Sequence, residues 1–272
     1  MPPEPGPLRD VIARHGLDAR RTLGQHFLLD LNLTARIAAL AGDLAGRHVV
    51  EVGPGPGGLT RALLATEAAS VTAIEVDPRA VAAVAELRES QPRLTLIEGD
   101  ALGLDLATLV PVPRQVVANL PYNIATPLLV GWLRQASEWE RLTLMFQQEV
   151  AERICAPPGS EAYGRLAVLA QWTCTASVLI RIPASAFWPP PRVVSAVVAL
   201  VPHAVQPPAA LFRQMEALTA AAFGQRRKML RGALRGLGGE ALLMSAGIAP
   251  DRRAETLDIA EFDRLARLLA NT

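Results

Sequence analysis

Residues Asn119-Leu120-Pro121-Tyr122 combine three kinds of chemistry in four positions. The Asn amide carries an acceptor oxygen and two donor hydrogens. Pro121 fixes φ and removes a backbone donor, which frees the Leu120 carbonyl to face a ligand instead of a neighbouring strand. Tyr122 supplies a flat face on which a base flipped out of its stack can rest. Together they suit an exocyclic amine on a planar ring. The apolar run 115–118 before them reads as a buried strand, and open α/β sheets bind ligands beyond the carboxyl ends of their strands. An ordinary strand-to-loop turn explains the same four residues, since Asn and Pro are common in turns, so the rest of the chain must decide.

A second cluster lies upstream, where Val49-Val50-Glu51-Val52 runs straight into Gly53-Pro54-Gly55-Pro56-Gly57-Gly58. Glycines let the backbone turn and approach a ligand closely. A helix beginning after them offers unpaired N–H groups at its positive end. A pyrophosphate is the guest of such loops in dinucleotide folds. Here the order is not GxGxxG, two prolines lack N–H groups, and Glu51 adds negative charge beside the loop. That charge suits an amino group or a sulfonium. Glu75 lies 22 residues after Gly53, at the end of the next strand-like run, a spacing at which an acid can accept both ribose hydroxyls of a nucleoside. Asp77, before Pro78, is better explained as a helix cap. Asp100 follows a third strand-like run and can accept from an adenine amine. Alone, either acid reads as a solvated loop charge. At successive strand ends beside a Gly-rich turn, they outline an adenosine-shaped ligand, and S-adenosylmethionine fits better than a nicotinamide dinucleotide.

The elements that must hold these groups alternate. Strands are expected over 48–52, 71–76, 94–98, 115–118 and 142–147, with helices starting near Gly58, Pro78, Pro127 and Glu149 and earlier ones over 8–15 and 31–41. Such alternation implies a parallel sheet with helices on both faces. After a further helix over 165–172, the runs 178–182 and 193–201 resemble an antiparallel pair. Three prolines within 202–208 mark a linker. Beyond it helices are expected over 209–223, 226–237, 240–246 and 261–270, the last preceded by a capping box from Asp258 to Glu261. The expectation is an α/β domain with a seven-stranded, mostly parallel sheet over residues 1–204 and a small all-α domain over 205–272.

Composition agrees with a folded chain. Of 272 residues 50% are hydrophobic and 19% charged, enough for a sizeable core and against global disorder. The net charge of +1 predicts no polyanion partner by itself, yet it is unevenly spread: 205–272 hold 10 Lys+Arg against 7 Asp+Glu, and 1–204 hold 17 against 19. Cys155 and Cys174 have no metal-ligand spacing, and His15, His26, His48 and His203 are scattered, so no metal site is expected. The Pro-rich start is too polar for a signal peptide, and no apolar stretch approaches the ~18 residues of a membrane span. A cytoplasmic protein with no membrane partner is expected.

Four motifs stand in order: Gly24-Gln25-His26-Phe27-Leu28, Glu51-Val52-Gly53-Pro54-Gly55, Glu98-Gly99-Asp100 and Asn119-Leu120-Pro121-Tyr122. As an ordered set this resembles the rRNA adenine N6-dimethyltransferase family, and more narrowly its bacterial small-subunit (16S) branch of KsgA type. Further matches are Glu149-Val150-Ala151-Glu152-Arg153, Tyr163-Gly164-Arg165-Leu166, Phe187-Trp188-Pro189-Pro190-Pro191-Arg192-Val193 and Phe223-Gly224-Gln225-Arg226-Arg227-Lys228. The resemblance runs from about residue 20 to the end of the chain. It implies a Rossmann-like class I methyltransferase domain and S-adenosylmethionine as methyl donor. By it, Gln25, His26 and Leu28 would border the methionine part of the donor and Gly53 and Gly55 its floor. Glu75 would hold the ribose, and Asp100 with Ala101 the adenine. Asn119, Leu120, Pro121 and Tyr122 would hold the target adenine, with Phe187 on its other face. The family usually carries Asn where this chain has His26. A backbone contact there leaves the change neutral, whereas a side-chain contact would make cofactor affinity pH-dependent near neutrality.

The segment 225–235 has five basic residues and no acidic one. Arg226, Arg227, Lys228, Arg231 and Arg235 read as phosphate-contacting helix surface, which Arg20 and Arg21 would extend; solvation of a helix face is the plainer explanation. Met229, Leu230 and Leu234 are expected to pack inward. The resemblance implies dimethylation of two adjacent adenines in small-subunit rRNA, on a precursor of the 30S subunit; sequence does not fix the oligomeric state, and a monomer is the default expectation. Alternatives are a resistance-type enzyme acting on large-subunit rRNA, a DNA adenine methyltransferase, a non-catalytic ribosome-assembly factor and, most remotely, a nicotinamide dehydrogenase.

Overall fold

A computed structural model of the chain describes residues 6–17, 26–225 and 227–271. The expected α/β class is observed. Among the described residues nine strands form, β1 (Phe27–Leu28), β2 (His48–Val52), β3 (Ser70–Glu75), β4 (Leu94–Glu98), β5 (Arg114–Asn119), β6 (Arg141–Gln147), β7 (Cys174–Ile182), β8 (Phe187–Trp188) and β9 (Ser195–Pro202). Seven of them form one sheet in the order β4-β3-β2-β5-β6-β9-β7. The pairings β2–β3, β3–β4, β2–β5 and β5–β6 are parallel, and β6–β9 is antiparallel. The central strands are apolar on both faces, as a sheet covered by helices requires: Val49, Val50, Val71, Ala73, Val116 and Val117 are fully buried.

The chain enters this sheet in the middle, at β2, runs outward to β4, and then crosses back to β5. The strand order therefore reverses between β2 and β5, and a crevice opens beyond their carboxyl ends. Helix starts frame it. Asp77 caps the helix Pro78–Arg88 by accepting from Arg79 N–H, with Pro78 at the first helical position, where a missing N–H costs nothing.

The chain divides into two compact units, residues 1–131, 137–151 and 177–201 forming one and residues 132–136, 152–176 and 202–272 the other. In the second, Tyr163, Phe223 and Phe262 form an aromatic cluster with centroid separations of 6.0 and 5.7 Å. The helix Ile259–Ala270 starts at the expected capping box, Asp258 with Glu261. Its Asp263 accepts from Trp172 Nε1–H at 3.0 Å.

Three local expectations are corrected, and one strand pairing appears that the sequence did not predict. The helix expected from Pro127 begins at Tyr122 and carries Pro127 inside it; Ile124 N–H already bonds the Pro121 carbonyl, so the fixed φ of Pro121 serves as the start signal. The helix expected over 226–237 is only Leu230–Ala233, followed by a 3-10 turn over Arg235–Leu237. Gly232, Gly236 and Gly238 disfavour a longer helix, and the N–H groups of Leu230 and Arg231 bond instead to the carbonyls of Arg252 and Pro250. Leu230 and Leu234 are buried, but Met229 is 44% exposed. Finally, β1 and β8 form a separate antiparallel ribbon, too short for its periodicity to show in sequence.

Candidate active site

The crevice between β2 and β5 is a cleft of about 240 Å³ lined by residues from four strand ends. His26, Leu28, Gly53, Gly55, Glu75, Asp100, Asn119, Leu120, Pro121 and Tyr122, all expected from sequence, line it. Ala101 is buried beside Asp100 and is not among the lining residues. Neither is Phe187, whose ring is 4% exposed within the core, across the ribbon from Leu28. Gln25, Arg20, Arg21 and Arg226 lie outside the described residues. The cleft also takes in Phe27, Val76, Asn123 and Ile124, which sequence reasoning did not single out. Val76 had one signal in the sequence, its place next to Glu75; its 52% exposure shows only in the fold.

The glycines are spatial necessities. Gly53 has φ +73°, and a Cβ there would stand 3.1 Å from Pro121 Cδ. Gly55 has φ +55°, and a Cβ there would stand 2.8 Å from the Phe27 ring. Only a residue without Cβ lets the loop after β2 pass this close to both segments. Phe27 is itself held from beneath by Val11, Ile12, Ala80 and Ala83.

Glu75 is fixed before any ligand arrives. Its Oε1 accepts from Val76 N–H and Asp77 N–H at 2.9 and 3.0 Å, and its Oε2 from Gly55 N–H at 3.2 Å. Burial raises its pKa above the ordinary value, and the three backbone donors act against that rise. Glu51 is 1% exposed and its Oε2 has no hydrogen-bond partner. Burial pushes its carboxyl up to about 8, and the neighbouring Glu75 adds to the rise. Asp100 is exposed and spends one oxygen on Leu102 N–H at 3.0 Å. An acidic cleft floored by glycines and prolines repels a pyrophosphate and attracts a cationic nucleoside.

At the other end, Asn119 Nδ2–H donates to the His26 carbonyl at 3.2 Å. The His26 side chain turns elsewhere: its Nδ1–H donates to the Pro189 carbonyl at 2.8 Å, and its ring lies 5.5 Å from that of Tyr122. Tyr122 pairs its hydroxyl with Ser195 Oγ at 2.5 Å. Burial holds that phenol above its ordinary pKa, so it stays neutral and serves as a surface.

The sequence profile described as ribosomal RNA adenine dimethylase matches residues 16–271. The chain belongs to that family. A dimethylase is an enzyme of methyl transfer, and the family's donor is S-adenosylmethionine. The chain is 66% identical, over 96% of its length and 86% of the relative's, to a ribosomal RNA small subunit methyltransferase A of Gluconobacter oxydans. Among solved structures, a dimethyladenosine transferase from Plasmodium falciparum aligns with TM-score 0.75 at 26% identity, over 90% of this chain and 98% of that one. The 23S rRNA methyltransferase ErmE aligns with TM-score 0.67 at 27% identity, over 90% and 99%. The residues of this dimethylase fit the family's donor. The unpartnered Glu51 oxygen and the Glu75 carboxylate line the cleft and complement its positive charges, and Gly53 and Gly55, which also line it, sit where any Cβ would crowd Pro121 and Phe27.

In the second unit, Arg227, Lys228, Arg231 and Arg235 are exposed. Lys228, Arg231 and Arg235 share one open hollow with Gly238 and Glu240. Among the described residues no group of three or more His, Cys, Asp or Glu is placed to hold a metal ion. No described helix is long and apolar enough to cross a membrane.

Proposed function

We propose that this dimethylase methylates N6 of two adjacent adenines in the hairpin loop near the 3′ end of small-subunit (16S) rRNA. It would act as a cytoplasmic monomer, without a metal, on a precursor of the 30S subunit. The observation that carries the reading is the Asn119 amide, anchored by His26 at the edge of an acidic, glycine-floored cleft. Bound S-adenosylmethionine supplies an electrophilic methyl group on a sulfonium. His26 and Leu28, with Gln25 by the family resemblance, would border its methionine part, Glu75 would accept its ribose hydroxyls, and Asp100 with Ala101 would receive its adenine.

The target amine is a poor nucleophile because its lone pair is delocalised into the ring. Since Asn119 donates through Nδ2 to His26, its Oδ1 is left to accept an N6–H, and the Leu120 carbonyl accepts the other. Two such bonds favour a pyramidal nitrogen whose lone pair points out of the ring plane. They are pre-organised electrostatics of the kind that stabilises a transition state. The Tyr122 ring bears the base by stacking. The alkylated nitrogen is acidic and releases its proton to water, so no strong base is needed. Phosphates along the RNA meet Arg227, Lys228, Arg231 and Arg235 in the all-α domain, contacts that position without reading sequence.

The large-subunit reading is supported by the likeness to ErmE, and the small-subunit reading by a relative at 66% identity. Incubation with labelled donor and undermethylated small subunits, large subunits or naked RNA separates them. Transfer to small subunits is expected. Transfer to large subunits alone would establish the resistance-type activity, and binding without transfer a non-catalytic assembly factor.

A further inference from the structure

Four tryptophans occur in the chain, and three, Trp132, Trp139 and Trp172, are 4%, 3% and 6% exposed. Trp188 is 41% exposed. A large aromatic ring left in water on a short strand forgoes the burial that dominates its energetics, and its placement here is controlled at both ends of its segment. On one side it sits in register with Phe27 across the β1–β8 ribbon, and cross-strand partners project to the same face; Phe27 lines the cleft. One residue further, the Pro189 carbonyl is held by His26, which lies against Tyr122. On the other side, the Val194 carbonyl accepts from Gln148 N–H at 2.9 Å, and Ser195 holds the Tyr122 hydroxyl. The segment 188–194 is thus pinned near one end to His26, which lies against Tyr122, and at the other to Gln148, just before Ser195 bonds the Tyr122 hydroxyl.

Between those pins the surface is apolar and cationic. Val193 and Val194 are 44% and 38% exposed, Arg192 is exposed, and residues 183–194 contain no Asp or Glu. A flat ring and a guanidinium beside a base-sized cleft match a nucleotide, with its π-face and its phosphate, better than they match a protein surface.

We propose that Trp188 is a stacking platform for the nucleotide next to the adenine held at Asn119, with Arg192 on the intervening phosphate. The inference rests on the rRNA reading above and deepens it: with two adjacent adenines as substrate, the neighbour of the one in the cleft is itself a target. The platform holds the RNA strand while the two adenines exchange places. Trp188 is a positioning residue. It acts on RNA and leaves the binding of S-adenosylmethionine unchanged.

The test uses the full-length protein as wild type, Trp188→Phe and Trp188→Ala, with undermethylated small subunits and with a short RNA hairpin bearing two adjacent loop adenines. Three observations are expected. The hairpin quenches the tryptophan emission of the wild type and protects it from iodide, because Trp188 is the one exposed indole, and it does neither in Trp188→Phe. The Michaelis constant for subunits rises about tenfold or more in Trp188→Ala (~1.4 kcal/mol) and stays within about threefold in Trp188→Phe, while donor affinity is constant in both, as loss and retention of base–aromatic stacking predict. Trp188→Ala also accumulates RNA modified at a single adenine. Wild-type kinetics in Trp188→Ala would overturn the proposal, as would equal losses in the Phe and Ala variants. Emission that responds to whole subunits but to no RNA would assign the surface to a ribosomal protein and overturn it too. If the hairpin quenches the wild type but no methyl is transferred to small subunits, the platform stands and the proposed substrate fails.

Discussion

Asn119 donates its amide N–H to the carbonyl of His26, 93 residues earlier, at 3.2 Å. The bond joins the end of β5 to the segment entering β1, and it decides which way the Asn119 amide points. With Nδ2 committed, Oδ1 is the atom presented for a substrate amine. Asn119→Asp removes the donor and sets a carboxylate oxygen against the His26 carbonyl. Single-turnover methyl transfer is expected to fall by roughly 10²–10³-fold, the usual effect of deleting one pre-organised hydrogen bond, with donor affinity reduced far less. Parallel calorimetric titration with S-adenosylmethionine separates the two; a loss confined to donor binding would make Asn119 a cofactor residue only.

Glu51 is expected to make stability and donor binding pH-dependent. Its carboxyl is raised by burial to about 8, against roughly 4.3 in an unfolded chain. A carboxyl whose folded pKa is raised costs nothing below the unfolded value. Native stability then declines as pH rises towards 8 and levels off above it, because the unfolded chain gives up a proton that the native state keeps. Glu51→Gln is expected to abolish that decline, gaining on wild type by roughly 4–5 kcal/mol at pH 8 and by almost nothing at pH 4. It should also bind S-adenosylmethionine more weakly, since a charged Glu51 would complement the donor's positive charge. Thermal melts across pH check the first effect. Titrations in buffers of different ionisation enthalpy check the second, with proton release on donor binding expected in wild type alone.

Much of this site was legible in the sequence because it is built from strand ends. β-branched runs announce buried parallel strands, so the sequence alone places Gly53, Glu75, Asp100 and Asn119 at successive strand ends. What was not legible depended on contacts distant in the chain. The role of His26 was undecidable until its carbonyl met Asn119 and its ring met Pro189. Phe27 gave no sign that Gly55 must lack a Cβ to clear it. The run 226–237 has helical letters, yet its glycines and the bonds of Leu230 and Arg231 to residues 250–252 break the helix.

Gly55→Ala places a Cβ 2.8 Å from the Phe27 ring at φ +55°. The left-handed conformation alone costs about 1–2 kcal/mol for an L-residue, and the clash displaces either the loop or Phe27. A lowered melting temperature and at least a tenfold loss of donor affinity are expected. Gly131→Ala is the control, since it lies within the helix Tyr122–Arg134 and nothing stands within 4 Å of its would-be Cβ. It should stabilise by roughly 0.5–1 kcal/mol and leave donor binding alone.

Arg231 and Arg235 share an exposed hollow with Lys228. If each neutralises one phosphate, Arg231→Ala and Arg235→Ala should each lower the slope of log affinity against log salt by roughly 0.7–0.9. Both should weaken binding to RNAs of different sequence alike. Filter binding over a salt series measures this. An unchanged slope would reduce the cluster to solvated surface.

The decisive measurement is the position and identity of the product. Small subunits lacking the modification are treated with wild-type protein or Asn119→Ala, and the RNA is mapped by blocked primer extension and by nucleoside mass spectrometry. The expected result is N6,N6-dimethyladenosine at two adjacent adenines near the 3′ end of the small-subunit RNA, absent with Asn119→Ala. Methylation at any other site, or a product that survives the loss of Asn119, would contradict it.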